Sequence, residues 1–142
     1  MLSLRPLNDA VAVAPQIEPA DIPAIAAAGY RAIVNNRPDG EEPGQPSGEA
    51  IRAAAEAAGL GYHAIPVAGG FAHAQLDAMA QALSDTDGPV LAYCRSGTRS
   101  CNLWALAAAK AGRDPALLVA QGAAAGYDLA GLRPMLDELA GG

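Results

Sequence analysis

Short apolar runs alternate with segments of helical periodicity along most of the chain. The apolar runs predict four strands, at 10–17, 31–36, 61–68 and 88–93. Helices are predicted at 19–29, 49–59, 72–84 and 98–112, with two further helical segments after them, the last near 133–140. Strands that alternate with helices are joined by crossover connections. The pattern therefore predicts an α/β three-layer sandwich, with a four- to five-stranded, mostly parallel sheet flanked by helices.

Composition narrows the class of protein. A length of 142 residues with 51% hydrophobic residues suits a single globular domain over 1–142. A net charge of −6 argues against a nucleic-acid surface, and no apolar run is long enough to predict a membrane span. Because the N-terminus lacks the pattern of a signal peptide, we expect a cytoplasmic protein. Two cysteines and two histidines suggest neither a disulfide framework nor a metal site, and no cofactor is implied.

The stretch "AYCRSGTRS" at 92–100 carries the strongest chemical signal. It lies between a predicted strand and a predicted helix, where ligands of parallel sheets bind. Free amides at a helix N-terminus bind anions, and a glycine in the loop permits the backbone to wrap around one. The predicted anion-binding residues are Arg95, Ser96, Gly97, Thr98, Arg99 and Ser100.

Within this loop, Cys94 is the candidate nucleophile. Surrounding positive charge and amide donors favour its thiolate form. Arg99 can grip a tetrahedral anion with a two-pronged contact, and Ser100 can hydrogen-bond the sulfur. For Arg95, a side chain that points to solvent is an equal alternative to an anion contact. Cys101 is expected to pack within the helix, with a resolving disulfide to Cys94 as the alternative.

A second polar stretch, "NNRPDGEE", ends the predicted strand at 31–36. Asp39 is the first candidate there for a catalytic acid, ahead of Glu41 and Glu42, and Arg37 is a candidate substrate-binding residue. A solvated turn explains the same residues equally well.

Two histidines and a tyrosine lie outside these two stretches. His63 is expected to pack on a strand, and Tyr127 to lie in the core. His73 is expected to be exposed and could serve as a surrogate acid.

The stretches "DIPAIAAAGYRAIVNNRPDGEEPGQPS", "GYHAIPVAGG" and "CRSGTRS" resemble signatures of the phosphatase-like domain of beta-lactamase-hydrolase-like proteins. That family is a bacterial branch of the cysteine phosphatase superfamily. The resemblance covers nearly the whole chain. It implies a dual-specificity-phosphatase-like fold, with Cys94 as nucleophile, Arg99 as the phosphate-binding arginine and Ser100 as the hydroxyl residue after it.

Departures from the phosphatase pattern keep two chemistries open. Four residues separate Cys94 from Arg99, one fewer than phosphatases usually have, and this spacing is similar to bacterial rhodanese loops. Tyr93 replaces the usual histidine, and "VAGG" at 67–70 lacks the usual aspartic acid. A phosphate ester expels an alkoxide that needs a proton, whereas thiosulfate expels sulfite, which needs none.

Three functions follow from these residues. The first is a cysteine-dependent hydrolase that acts on a phosphate ester through a cysteinyl-phosphate. The second is a rhodanese-like sulfurtransferase that carries a Cys94 persulfide. The third is a non-enzymatic anion-binding module. In each case we expect a small anionic partner, either a phosphate ester or a sulfane-sulfur donor for the two enzymes.

Overall fold

The computed structural model describes residues 2–141. Its strands are β1 (Arg5–Pro6), β2 (Val11–Ala14), β3 (Ala32–Asn35), β4 (Gly61–Ala64) and β5 (Val90–Tyr93). Its helices are α1 (Ile22–Ala27), α2 (Gly48–Ala57), α3 (His73–Asp85), α4 (Thr98–Lys110), α5 (Pro115–Ala124) and α6 (Arg133–Gly141). Short 3₁₀ turns at Pro19–Asp21 and Ala130–Leu132 precede α1 and α6.

The strands form one five-stranded sheet in the order β1-β2-β5-β3-β4. Strands β2, β5, β3 and β4 are parallel, and β1 adds an antiparallel edge. The mostly parallel sheet is therefore confirmed. The pattern did not predict β1, because a pair of residues is too short to show alternation. A turn at Asn8 returns the chain into β2, and its side-chain oxygen accepts from the amides of Ala10 and Val11 at 2.8 and 2.9 Å.

Helices cover both faces of this sheet, as the three-layer prediction requires. Alternate strand residues point to opposite faces. One apolar cluster joins Val13, Val34 and Ala92 to α3, α4, α5 and α6. The other joins Ile33 and Leu91 to α1 and α2. All four residues of β5 are buried, so the strand that leads to Cys94 is held from both sides.

Several element boundaries differ from the predicted ones by a few residues. The segment predicted as a strand at 61–68 pairs only over Gly61–Ala64, since Pro66 has no amide hydrogen for a ladder. The helix predicted at 19–29 begins as a 3₁₀ turn and ends before Gly29, whose φ is 102°. Helix α2 begins where Ser47 caps it by accepting from the amide of Ala50 at 3.1 Å.

No helix within residues 2–141 combines the length and the apolar character needed to cross a membrane.

Candidate functional site

Cys94 follows the central strand of the sheet and is 1% exposed. Its amide donates to the carbonyl of Ala14 at 3.4 Å, which ties the loop to β2. The amide of Gly97 donates to the Cys94 sulfur at 3.1 Å. Helix α4 begins at the next residue, so its first-turn amides, which lack helical partners, follow directly after the amide that contacts the sulfur. The predicted sequence of strand, cysteine loop and helix is confirmed.

The turn that directs the Gly97 amide to the Cys94 sulfur depends on a left-handed backbone at Gly97 and on Tyr127. Gly97 has φ 93°. The Tyr127 hydroxyl donates to the carbonyl of Ser96 at 3.0 Å and lies directly against Gly97. A side chain at Gly97 would overlap that hydroxyl and would lie 2.9 Å from the ring carbon that carries it. Tyr127 is buried, as predicted, but it also supports the loop.

We expect Gly97→Ala to destabilise the protein by about 2–4 kcal/mol and to lower activity. About 1 kcal/mol comes from a left-handed alanine, and the rest comes from overlap with Tyr127. The measurement is urea unfolding. Gly112→Ala is the matched control, because Gly112 has φ 97° and nothing within 4 Å of the added methyl. Equal losses of stability in the two variants would show that Tyr127 does not constrain the loop.

Ser100 is fully buried and anchors the start of α4 to the neighbouring strand end. Its hydroxyl donates to Asn36 Oδ1 at 2.7 Å, and Asn36 Nδ2 donates to the carbonyl of Ile65 at 2.9 Å. The sequence predicted a contact from this hydroxyl to the Cys94 sulfur. The hydrogen bond that the structure records goes to Asn36, which links the loops after β3, β4 and β5.

The Arg99 guanidinium lies at the open edge of the cysteine loop and is held by two partners. It donates to both carboxylate oxygens of Glu41, at 2.7 and 2.8 Å, and to the carbonyl of Val67 at 2.8 Å. Hydrogen bonding to Glu41 raises the pKa of Arg99, and the nearby Cys94 sulfur raises it further. The carboxylate of Glu41 thus lies where an anionic ligand of Arg99 would bind.

The same interactions keep Glu41 ionised. Hydrogen bonding to Arg99 and, secondarily, to Arg37 outweighs burial and lowers the pKa of Glu41 to about 2. A carboxyl group with so low a pKa holds almost no proton at neutral pH. In this arrangement Glu41 cannot serve as a general acid.

Arg37 is only 4% exposed, so the alternative of a solvated turn is wrong for this residue. It donates to Glu41 at 2.8 Å, to Glu42 at 2.6 Å and to the side-chain oxygen of Gln16 at 3.0 Å. A buried guanidinium needs such partners, because an uncompensated charge is costly to bury. Arg95, by contrast, has a side chain that is 66% exposed and approaches Glu42 at 3.3 Å.

The hydrogen bond of the Asp39 carboxylate does not involve the cysteine loop. Its carboxylate accepts from the amide of Gly48 at 2.7 Å, at the first residue of α2. The prediction of Asp39 as the first catalytic candidate is therefore not supported, because the carboxylate is engaged at a helix N-terminus. Glu41 takes the position beside Arg99 instead.

His63 lies on β4, two strands from β5, and His73 begins α3. His73 is exposed, as predicted, but it contacts Lys110 at 3.1 Å, at the C-terminal end of α4. That end is roughly 18 Å along the helix from the cysteine loop at 1.5 Å per residue, so His73 is not placed as a surrogate acid. His63 is half-buried on β4.

Two other side chains near the loop are buried. Cys101 lies in the apolar core, and burial raises its thiol pKa to about 12. Its sulfur faces Gly122 of α5, in agreement with the predicted packing role. Burial also raises the pKa of Tyr93, which packs among aliphatic side chains on the α1–α2 face.

Sequence reasoning missed the supporting roles of Gln16, Asn36 and Tyr127. Gln16 and Asn36 each follow a parallel strand, at the end of the sheet where Cys94 also lies. Their position at the carboxyl ends of strands was the sequence signal that could have identified them. No local signal places Tyr127 beside Gly97, because the two residues lie far apart in the chain.

Two curated relatives match most of the chain. A beta-lactamase hydrolase-like protein of Agrobacterium fabrum is 43% identical over 75% of this chain. One of Xylella fastidiosa is 42% identical over 87% of it. The matched regions are 25% and 29% of the relatives' own lengths, so the chain spans less than a third of either relative.

Solved structures give the same fold. A protein of Neisseria meningitidis, provisionally described as a phosphatase, is 34% identical, with a TM-score of 0.82 over 94% of this chain and 96% of its own. Tk-PTP in its active form has a TM-score of 0.71 over 98% of this chain and 97% of its own, at 18% identity. The likeness to Tk-PTP concerns the fold alone. The dual-specificity-phosphatase-like architecture is confirmed.

Residues 3–111 match the protein family described as the beta-lactamase hydrolase-like protein, phosphatase-like domain. That range contains the sheet, Cys94 and Arg99 together with the ion pairs around them. The chain belongs to this family.

Proposed function

We propose that this phosphatase-like chain is a cysteine-dependent hydrolase that cleaves a phosphate ester through a cysteinyl-phosphate at Cys94. The observation that carries the proposal is the hydrogen bond from the Gly97 amide to the Cys94 sulfur, 3.1 Å long. An amide N–H directed at the sulfur stabilises the negative charge of a cysteine nucleophile. Arg99 stands at the same loop and supplies a fixed positive charge.

The first chemical step transfers the phosphoryl group. The sulfur of Cys94 attacks phosphorus, the phosphorus–oxygen bond of the ester breaks, and the alcohol leaves as an alkoxide or phenoxide that takes a proton from water. Loop amides stabilise the negative charge on the equatorial oxygens, and Arg99 does so once the phosphate has displaced the Glu41 carboxylate from its guanidinium. Water then attacks the cysteinyl-phosphate, which releases inorganic phosphate and restores the thiolate.

The substrate class follows from the absence of a proton donor in the positions that sequence reasoning offered. Glu41 is ionised, the Glu42 carboxylate is paired with Arg37, Asp39 is bonded to the start of α2, and residues 67–70 carry no acid. Protonation of a leaving group is worth about 10²–10⁴-fold in rate. We therefore expect aryl phosphates, which release a stable phenoxide, to react faster than alkyl phosphates by a similar factor.

The lack of a proton donor at these positions also favours a second candidate, sulfur transfer. Here the Cys94 thiolate attacks the sulfane sulfur of thiosulfate, the sulfur–sulfur bond breaks, and sulfite leaves without a proton. The product is a Cys94 persulfide. Cyanide can then accept the sulfane sulfur as thiocyanate, and the thiolate returns. The short loop between Cys94 and Arg99 agrees with this chemistry.

One paired assay separates the two candidates. The protein is incubated with p-nitrophenyl phosphate, and separately with thiosulfate and cyanide, while nitrophenolate and thiocyanate are measured. We expect nitrophenolate release that is lost in Cys94→Ser. Thiocyanate formation that depends on Cys94, without ester hydrolysis, would replace the phosphatase proposal by sulfur transfer.

If Cys94→Ser changes neither rate, both enzymatic proposals fail. The remaining hypothesis is then an anion-binding module, for which the binding of inorganic phosphate by calorimetry would be the relevant readout.

A further inference from the structure

We propose that Arg37 and Arg95 form a second anion subsite beside the Cys94 loop, which binds a carboxylate on the non-transferred part of the substrate. The inference rests on the proposed function and deepens it, since it names the substrate class. In the present structure the subsite is filled by the chain's own Glu42.

The site contains more arginines than the proposed chemistry uses. The proposed chemistry needs one guanidinium, Arg99, for the transferred group. Two more, Arg37 and Arg95, lie beyond it in a row joined by the carboxylates of Glu41 and Glu42. Within an acidic chain with only nine lysines and arginines, three arginines at one edge of the sheet require an explanation.

Single oxygen atoms link these guanidiniums, so the row is short. Oε1 of Glu41 accepts from both Arg99 and Arg37, at 2.8 Å each. Oε1 of Glu42 accepts from Arg37 at 2.6 Å and lies 3.3 Å from Nε of Arg95. The donor nitrogens of neighbouring guanidiniums are therefore separated by no more than the two nitrogen–oxygen distances through the shared oxygen. A small molecule with two anionic groups can reach from Arg99 to the subsite.

Arg37 is held in place independently of the two glutamates. Its guanidinium donates to the neutral Gln16 side chain at 3.0 Å, and its amide donates to Asn35 Oδ1 at 2.9 Å. When Glu42 leaves, these bonds keep the guanidinium directed to the same place. A preorganised, poorly hydrated cation of this kind favours a bound carboxylate.

Glu42 can leave without unfolding the protein. Its side chain is 43% exposed, and it lies on the loop between β3 and α2. Gly40 and Gly44, with φ 76° and 80°, stand on either side of the two glutamates and have open space around them. Exposed ion pairs contribute little stability each. A ligand carboxylate that replaces Glu42 takes over two ion pairs, one with the buried Arg37 and one with the exposed Arg95.

The test compares two ligands that differ at one position. 2-Phosphoglycolate carries a carboxylate where ethyl phosphate carries a methyl group. Their affinities for the full chain with Cys94→Ser, which prevents turnover, are measured by calorimetry at low and fixed salt. We expect phosphoglycolate to bind about tenfold more tightly or better, since one charged hydrogen-bonded pair is worth about 1.5 kcal/mol or more.

Substitutions then locate the preference. In Arg95→Gln, an exposed site where misfolding is not expected, the preference for phosphoglycolate should fall several-fold. Arg37→Gln should abolish it. Glu42→Gln should increase it, because the internal competitor is weakened. Arg113→Gln is the matched control, being an exposed arginine away from the cysteine loop, and it should leave both affinities unchanged.

Three outcomes would overturn the subsite: equal affinities for the two ligands, a preference that survives Arg95→Gln, or no binding of either ligand. Failure of the proposed hydrolase is seen separately, as turnover that does not depend on Cys94. A preference that responds to Arg95→Gln would stand even then, as evidence of a carboxylate-binding site.

Discussion

Turnover should fall by roughly 10⁴-fold or more in Cys94→Ser, the largest effect expected for any single substitution. A serine hydroxyl is almost fully protonated at neutral pH, and one amide donor from Gly97 does not ionise it. The replaced sulfur is buried in a loop that a backbone hydrogen bond holds to β2. A side chain of nearly the same shape should therefore leave the fold intact. The measurement is initial rate with the better of the two donor substrates, alongside thermal unfolding.

Cys101→Ala provides the matched control for that experiment. Cys101 is also a buried cysteine, but its sulfur faces α5. We expect the variant to lose about 1 kcal/mol of stability, as is typical of a core substitution, and to keep its catalytic rate. A comparable loss of rate in both variants would mean that the thiols act together, as in a disulfide exchange, and not through Cys94 alone.

Arg99→Lys should lower kcat/KM by about 10²–10³-fold, the size seen when a preorganised donor to a developing charge is removed. Lysine keeps the positive charge and loses the planar fork that holds Glu41 and the Val67 carbonyl at once. The loss should appear in kcat as well as in KM, because the charge on the equatorial oxygens grows toward the transition state. Steady-state kinetics provide the measurement.

Arg113→Lys is the corresponding control, at an exposed position outside the site. Its kinetic constants should match those of the unmodified protein. If Arg99→Lys raises KM only, Arg99 binds substrate and transition state equally, and its assignment to charge stabilisation is wrong.

The cysteine loop could be identified from sequence because its determinants are local. An apolar run before Cys94, a glycine at 97 and a helical pattern after Thr98 lie within a short stretch. Each imposes a backbone state on its own: a buried strand, a left-handed turn and a helix start. The structure contains these three features in the order predicted.

The roles of the acidic residues after β3 could not be predicted from local sequence in the same way. Asp39, Glu41 and Glu42 are chemically alike and close in sequence, so residue type does not separate them. Their roles depend on which partner each meets: the amide of Gly48 for Asp39, and Arg99 for Glu41. The Arg99 side chain comes from a strand–loop–helix unit far along the chain, and no local pattern encodes that approach.

The sequence by itself determined the alternation of strands and helices, the mostly parallel sheet, and the placement of Cys94 ahead of a helix. These follow from periodicity and turn chemistry, which act over a few residues. Only the tertiary structure decided which carboxylate lies on Arg99, that Arg37 is buried, and that Tyr127 supports Gly97. Those contacts join segments separated by tens of residues. The Arg99 and Arg37 contacts form because parallel strands bring their carboxyl ends to the same end of the sheet, whereas Tyr127 reaches Gly97 from the segment after α5.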